Sequence, residues 1–396
     1  MLTNEQVAQY QRDGFLVIRS VLDDHEIDTF ETAFGRQNPN HGPTPGTYPD
    51  PGRYTLAKSC MYDPDLAFVV EHPGIVEPAR ALLNDDPVLT AFVAYDRTPG
   101  GPGIPMHNDY KRWRPVGSSM NWLFTIVPAD DFDEHTGQLF LSPGSHHLDR
   151  IHDHGGRALD VDAAIRPDED SFIDPELKRG DLCLMNMHCW HKAAPNKSNR
   201  HRIGFFNKYA AASHPPATGY YMFTDAAYDA LSEDGKKLIA VHSDKPIVMT
   251  RLLLQRQGES GPEFLFLNDN LKGDDRLVFP GGPAWNERAI PDWDLGNYIA
   301  PMQHHIREQL KIETPWATYV GDFEEQDYLC RLYAYEMNEQ GFPVRFGGEW
   351  VKFDDLRERR TAFGYEIGAI DDWLAPGVVR GKALSQAQSR VDQYAY

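Results

Sequence analysis

Cysteine is scarce in this chain. Cys60, Cys183, Cys189 and Cys330 are four among 396 residues, widely spaced, and no two form a C-x-x-C pair. That excludes a zinc ribbon, argues against a disulfide frame and points to reduced thiols in a cytoplasmic setting. Positive charge is also in deficit: 39 Lys and Arg face 59 Asp and Glu, for a formal charge of −20. Nucleic acids and anionic membrane surfaces reward a basic face, so neither is an expected partner. No apolar run reaches the ~18 residues of a transmembrane helix. The opening Met1-Leu2-Thr3-Asn4-Glu5 has neither the basic nor the apolar region of a secretory signal. Internal repeats and low-complexity tracts are missing too.

What is present suffices for packed cores: 41% of residues are hydrophobic and 12% aromatic. The length suggests two or three domains at ~150 residues each. Thr3 with Gln6 forms a capping box opening a helix over Glu5–Arg12. Gly14 ends it, Phe15–Ile18 is a short strand, and Asp23 or Asp24 caps a helix with Ile27, Phe30 and Phe34 on one face. Residues 36–60, dense in Pro, Gly and Asn, predict a long loop of the kind that serves as a lid. Ile75–Leu83 reads as helical. From 88 to 210 the pattern turns to strands: Val88–Ala94, Trp122–Val127, Gln138–Ser142, Asp181–Asn186 and Ile203–Tyr209. Turn residues between them predict an antiparallel barrel or sandwich.

The 16 histidines are the unusual feature. His107-Asn108-Asp109 is an H-x-D; in a strand or at its end, positions i and i+2 share a face, so an imidazole and a carboxylate converge. A second histidine must come from elsewhere, and His191 is the best candidate, following the apolar strand after Gly180-Asp181. Two His and one carboxylate with other positions open is the arrangement of non-haem Fe(II) oxygenases. Arg202 lies eleven residues beyond His191, across the turn formers Ala194–Asn199. A hairpin centred on Asn196-Lys197 would pair 191 with 202 and bring the guanidinium beside the metal, ready to grip a carboxylate such as the far end of 2-oxoglutarate. His188, His201, His146 and His147 are the rival histidines. His188 is three residues from His191, so on a strand only one of them faces the site. His146 and His147 read as a strand end, and Cys189 as a small packed residue.

Gln9–Phe30, His107–Asp109, the segment Asp130–His146 (DDFDEHTGQLFLSPGSH) and Gly180–Arg202 together resemble the phytanoyl-CoA dioxygenase family over roughly residues 5–215. Within it, HNDYKRW is similar to the local motif of ectoine hydroxylases. The resemblance implies a mainly β domain with the double-stranded β-helix (cupin-like jelly roll) fold, using Fe(II), 2-oxoglutarate and O2. It implies His107, Asp109 and His191 as catalytic metal ligands, Arg202 as the 2-oxoglutarate anchor and Trp122 as an aromatic near the cosubstrate. It also implies Trp113 as part of the substrate pocket. Family members that halogenate replace the carboxylate with a small residue; Asp109 is present, which favours hydroxylation or a related oxidation. Lys111, Arg112 and Arg114 flank Trp113, and strand alternation would turn Lys111 and Trp113 toward Asp109. A small anionic or zwitterionic substrate is expected there.

Residues 245–375 read differently. Strands Ile247–Gln255 and Glu263–Asn268, the turn Phe279-Pro280-Gly281-Gly282, a helix near 299–311 bearing Arg307-Glu308, and Glu349-Trp350-Val351 resemble a Nudix hydrolase. Gly281 to Glu287 fits the first part of a Nudix box, but Arg307-Glu308-Gln309-Leu310-Lys311-Ile312 lacks the final glutamate pair that holds Mg2+. The expected organisation is a dioxygenase domain over 1–215, a linker over 216–244, a smaller α/β Nudix-like domain without catalysis over 245–375, and a tail over 376–396. A homodimer through the C-terminal domain is a further expectation. The rival reading is nucleotide pyrophosphatase activity in the C-terminal domain, with the barrel as accessory.

Overall fold

The computed structural model describes residues 2–37, 47–50, 53–57, 61–109, 122–148, 166–214, 216, 219–220, 222–268, 276–284, 298–312, 317–337, 348–359 and 361–375. Helix α1 (Asn4–Asp13) opens on the expected capping box. The Thr3 hydroxyl accepts from the Gln6 N–H at 3.2 Å, and the Gln6 side chain accepts from the Thr3 N–H at 2.9 Å. Such a cap contributes about 1 kcal/mol. Gly14 closes the helix at φ 82°, and a Cβ there would sit 2.4 Å from His146 Nδ1. Strand β1 (Phe15–Ile18) and α2 (Asp24–Gln37) follow, with Ile27, Phe30 and Phe34 of α2 buried.

The stretch expected as a loop over 36–60 is partly strand. Thr47–Asp50 (β2) and Arg53–Ala57 (β3) form an antiparallel hairpin, and β3 pairs onto a sheet edge. Strand formers such as Tyr48, Tyr54 and Thr55 accept that edge, and long-range pairing overrides the local turn signal. Residues 38–46, 51–52 and 58–60 lie outside the described residues. Helices α3 (Pro64–Glu71) and α4 (Pro73–Leu83) come next.

Then the chain is strand-rich: β4 (Pro87–Ala91), β5 (Val93–Arg97), β6 (Ile104–His107), β7 (Trp122–Pro128), β8 (Leu139–Leu141), β9 (Leu182–Asn186), β10 (His191–Ala193) and β11 (Arg202–Ala211). They make two antiparallel sheets. The larger runs β1-β9-β7-β11-β5-β3-β2, with β4 on β11, and the smaller runs β6-β10-β8. One face of the larger sheet carries the helices. Phe205 of β11 meets Phe30 edge-on at 5.7 Å, and the Tyr209 hydroxyl donates to Val70 O at 2.5 Å. Alternation then turns the even-numbered residues of β11, from Arg202 to Lys208, to the opposite face.

Strands β10 and β11 do not pair. His191 stands opposite His107 of β6 and Leu141 of β8, whereas Arg202 stands opposite Arg97 of β5. The hairpin expected between 191 and 202 is therefore incorrect. The intervening turn carries the chain from one sheet to the other and is held by Asn196, whose Nδ2 donates to Arg97 O at 3.0 Å and Arg200 O at 2.7 Å. Equal distance from a turn permits a hairpin; here each strand finds other partners on both edges.

The segment read as a linker is packed. It holds α5 (Asp225–Asp229) and a 3-10 turn at Gly235–Leu238, and its Phe223, Ala227, Leu231 and Leu238 belong to the first core. Ser232 donates its N–H and hydroxyl to the Glu71 carboxylate at 3.0 and 2.6 Å.

A second sheet system follows: β12 (Ile247–Gly258), β13 (Gly261–Asn268), β14 (Leu277–Val278), β15 (Gly281–Pro283), α6 (Ile299–Leu310), β16 (Thr318–Glu325), β17 (Tyr328–Met337), β18 (Glu349–Lys352), α7 (Phe353–Leu356) and α8 (Glu366–Leu374). The order is β14-β13-β12-β17-β16, with β12 and β17 parallel. One face packs Leu252, Leu254 and Tyr333 against Met302, Ile306 and Leu310 of α6. The other packs Leu253, Phe264 and Leu332 against Ile370 and Trp373 of α8. The result is an α/β/α sandwich beside a mainly β unit. The tail over 376–396 lies outside the described residues.

Candidate functional site

His107 is the last residue of β6, and Asp109 follows one residue beyond it. The Asp109 N–H donates to Met187 O at 3.2 Å, anchoring the bend. The register of β10 against β6 sets His191 directly across from His107, with ring centroids 4.2 Å apart. His191 Nε2 lies 3.3 Å from Asp109 Oδ2, and His107 Nε2 lies 3.9 Å from Oδ1. The three donor atoms lie within 4.8 Å of one another, among the described residues the one such group that could hold a metal ion.

The second nitrogen of each ring is spoken for by a carbonyl. His107 Nδ1 meets Pro105 O at 2.8 Å, and His191 Nδ1 meets Cys189 O at 3.0 Å. A carbonyl accepts only, so each Nδ1 carries its proton, and each Nε2 is the nitrogen turned toward Asp109. Burial pushes the Asp109 carboxyl up, but the His191 hydrogen bond and the charge of Lys208 outweigh it and hold the group well below the usual carboxylate range. Asp109 is therefore ionised at neutral pH, and the trio presents two nitrogens and one carboxylate.

Arg202 opens β11 and is buried, with its guanidinium 3.5 Å from the Phe132 ring centroid. Its Nε has no hydrogen-bond partner among the described residues. Burial and the neighbouring Arg97 both press against its charged form, and Asp130 offsets this only in part. A buried guanidinium in that state is costly without an anion, and a carboxylate is the matching one.

The rival histidines stand outside the trio. His188 sits in the turn after β9, where its backbone N–H donates to Asn186 Oδ1 at 2.9 Å. His201 Nδ1 meets Asp96 at 2.7 Å. His146 and His147 form a 3-10 turn after β8 and both approach Gln11 O. Cys189 is buried against Ser142 and Ser145, with its thiol pushed up to about 12 by burial, as a packed residue should be. Trp122 is fully buried. Its register opposite Ala210 turns it to the face of Arg202 and Lys208, and its indole N–H donates to His214 O at 3.2 Å. Lys111 and Trp113 lie outside the described residues. Sequence reasoning missed Lys208, Arg97 and Phe132. Alternation along β11 from Arg202 would have flagged Lys208; no local signal marks Phe132.

Residues 10–204 match the family model of phytanoyl-CoA dioxygenase (PhyH). The match spans just under half of the chain. Curated relatives of this region include ectoine dioxygenase of Bordetella bronchiseptica, 27% identical over 157 residues, which are 37% of this chain and 50% of the relative. The chain thus spans about half the length of the curated relatives it matches. Similar solved structures include the non-haem alpha-ketoglutarate-dependent carbocyclase SnoK from nogalamycin biosynthesis, at 20% identity and TM-score 0.48, covering 54% of this chain and 86% of that one. Another is EctD from S. alaskensis with 2-oxoglutarate and 5-hydroxyectoine, at 18% identity and TM-score 0.44, covering 54% and 77%. Among the described residues no helix is long and apolar enough to cross a membrane.

Proposed function

We propose that this protein is an Fe(II)- and 2-oxoglutarate-dependent dioxygenase that oxidises, most simply hydroxylates, a C–H bond of a small molecule. The observation that carries this is the convergence of His107, Asp109 and His191, with both Nε2 atoms directed at the carboxylate. Two imidazole nitrogens and a carboxylate suit Fe(II) and leave coordination positions for other ligands. Bound Fe(II) would supply O2 activation, coupled to conversion of 2-oxoglutarate to succinate and CO2. The chain's own share is positioning. Pro105 O and Cys189 O fix the two imidazole tautomers, and ionised Asp109 supplies the negative charge. Arg202 takes the far carboxylate of 2-oxoglutarate in a water-poor setting where that pairing is strong. Trp122 forms part of the apolar wall near the cosubstrate, and Lys111 and Trp113 belong to the substrate entrance.

In this reading residues 1–215 form a jelly-roll catalytic domain, extended by 216–244, and the enzyme works in the cytoplasm. Residues 245–375 form a degenerate Nudix-like domain. Three features support its lack of catalysis. Lys311 and Ile312 stand where carboxylates would be needed. Gln309 is committed to Gly281, accepting from its N–H at 3.0 Å and donating to its O at 2.7 Å. His305 packs over Gly282. Packing or self-association through this domain is its proposed role.

The test is anaerobic titration of the protein with Fe(II) and 2-oxoglutarate. A weak visible charge-transfer band that needs both components is expected, followed by succinate formation on admitting O2. Failure to bind 2-oxoglutarate in the presence of the metal, or release of phosphate from nucleoside diphosphate compounds, would overturn the reading.

A further inference from the structure

The segment that follows β7 crosses over the start of β11 and is tied to it there. The Ala129 N–H donates to Ile203 O at 3.0 Å, and the Asp130 carboxylate accepts the Ile203 N–H at 3.2 Å. Two residues on, the Phe132 N–H donates to Leu177 O at 3.0 Å, and its buried ring lies against both Gly204 and Arg202. A Cβ at Gly204 would sit 2.9 Å from Phe132 Cζ and 2.9 Å from Phe206 Cε2. Gly204 does not have a left-handed φ, so space for these two rings, rather than backbone conformation, calls for glycine.

The contact with Arg202 has a definite geometry. Carbon atoms pack at ~3.5–4.0 Å. A guanidinium carbon 3.5 Å from the ring centroid therefore lies over the face of the ring and not at its edge. An N–H aimed at the ring would hold that carbon farther off, so the guanidinium is stacked and its N–H groups point past the ring. Stacking answers part of the difficulty of this buried cation. Burial and the charge of Arg97 press against it, and Asp130 favours it. The negative face of the ring adds attraction where water is excluded. Unlike a carboxylate, the ring takes up none of the in-plane donors, and Nε has no hydrogen-bond partner among the described residues.

We infer that Phe132 is a positioning residue for the cosubstrate: it holds Arg202 in place, with its fork of donors open, for the far carboxylate of 2-oxoglutarate. The assignment rests on the dioxygenase reading. Without the ring the cation can shift away from Arg97 and toward Asp130, and 2-oxoglutarate must bring it back, which weakens binding.

The experiment loads the full chain with Fe(II) under anaerobic conditions and titrates two 2-oxo acids that chelate alike, following the visible charge-transfer band. 2-Oxoglutarate carries the far carboxylate, and 2-oxopentanoate lacks it. Phe132→Leu should weaken 2-oxoglutarate about tenfold and leave 2-oxopentanoate within twofold. Replacing the Phe132 ring with its pentafluorinated form keeps the shape and reverses the charge of the face. It should give the same selective loss, which a ring needed only for packing would not show, and it decides the matter if Phe132→Leu folds poorly. On an Arg202→Met background, Phe132→Leu should change 2-oxoglutarate affinity less than twofold. Wild-type affinity in the ring variants, equal losses for the two acids, or a full tenfold loss added to that of Arg202→Met overturns the assignment alone. If the wild-type protein with Fe(II) binds no 2-oxoglutarate, the dioxygenase reading fails and the assignment with it.

Discussion

The two halves of the molecule bury arginine in opposite ways. In the C-terminal sandwich, Arg251 meets both carboxylate oxygens of Glu325 at 2.6 and 3.0 Å, and Arg331 does the same with Asp322 at 2.8 and 2.9 Å. Those carboxylates hold both guanidinium groups above their ordinary range despite burial. In the N-terminal half, Arg202 is equally buried, has an Nε without a partner among the described residues, and is held below that range. A matched buried pair is a structural element whose two members satisfy each other. An unmatched one is a place kept for something that arrives. The same contrast separates the acids: Glu325 and Asp322 face arginines, whereas Asp109 faces two imidazole nitrogens.

The strongest way to break this comparison is at the metal trio. Asp109→Ala or His191→Ala should abolish Fe(II) binding and 2-oxoglutarate turnover while leaving a folded protein, and His188→Ala should keep metal binding. Activity that survives His191→Ala but not His188→Ala would mean the wrong histidine has been assigned. Metal content and succinate yield on purified variants decide it.

Arg202 comes next. Loss of one member of a buried charge pair costs roughly 3–5 kcal/mol, and 1.4 kcal/mol is tenfold, so Arg202→Ala should weaken 2-oxoglutarate by about two to three orders of magnitude. Without cosubstrate the sign reverses. Arg202→Met removes an unmatched buried cation and should melt above the wild type. A lower melting temperature for the apo variant would show that Arg202 is matched after all.

Glu325→Gln should do the opposite in the C-terminal half. It leaves Arg251 buried beside a neutral amide and should cost roughly 3–5 kcal/mol of stability in denaturant unfolding, with 2-oxoglutarate affinity unchanged. An effect on the cosubstrate would tie the two halves together functionally.

The smallest effect tests an exception within the sandwich. Glu366, fully buried at the start of α8, accepts the Phe363 N–H at 3.2 Å, and burial raises its carboxyl above the ordinary value. The folded protein then holds this proton more tightly than the unfolded chain, so its contribution is present at low pH and is lost as pH rises through the folded value. Glu366→Gln should therefore stabilise the protein at pH 7.5 and make little difference near pH 4. Equal effects at both values would remove ionisation as the cause.

Much of this was legible from local patterns. The capping box at Thr3 and Gln6, the Gly14 stop, and the apolar runs that became β7, β9 and β12 need only neighbours in sequence. The H-x-D spacing likewise predicts that His107 and Asp109 converge, although Asp109 is held by a bend just past β6 rather than by strand alternation. The loop reading of 36–60 failed at β2 and β3 because an available sheet edge outweighed turn formers. The linker reading of 216–244 missed packing, since Phe223 and Leu231 carry no periodic signal yet find the first core.

The sequence by itself put forward His107, Asp109, His191 and Arg202 as candidates, from residue type, spacing and family resemblance. Only the tertiary structure decided how they meet. His191 pairs with His107 rather than with Arg202, which stands opposite Arg97 in the other sheet. The reason is physical: side-chain direction along a strand follows from local backbone geometry, whereas strand partnership is a choice among distant edges made by the packing of the whole sheet.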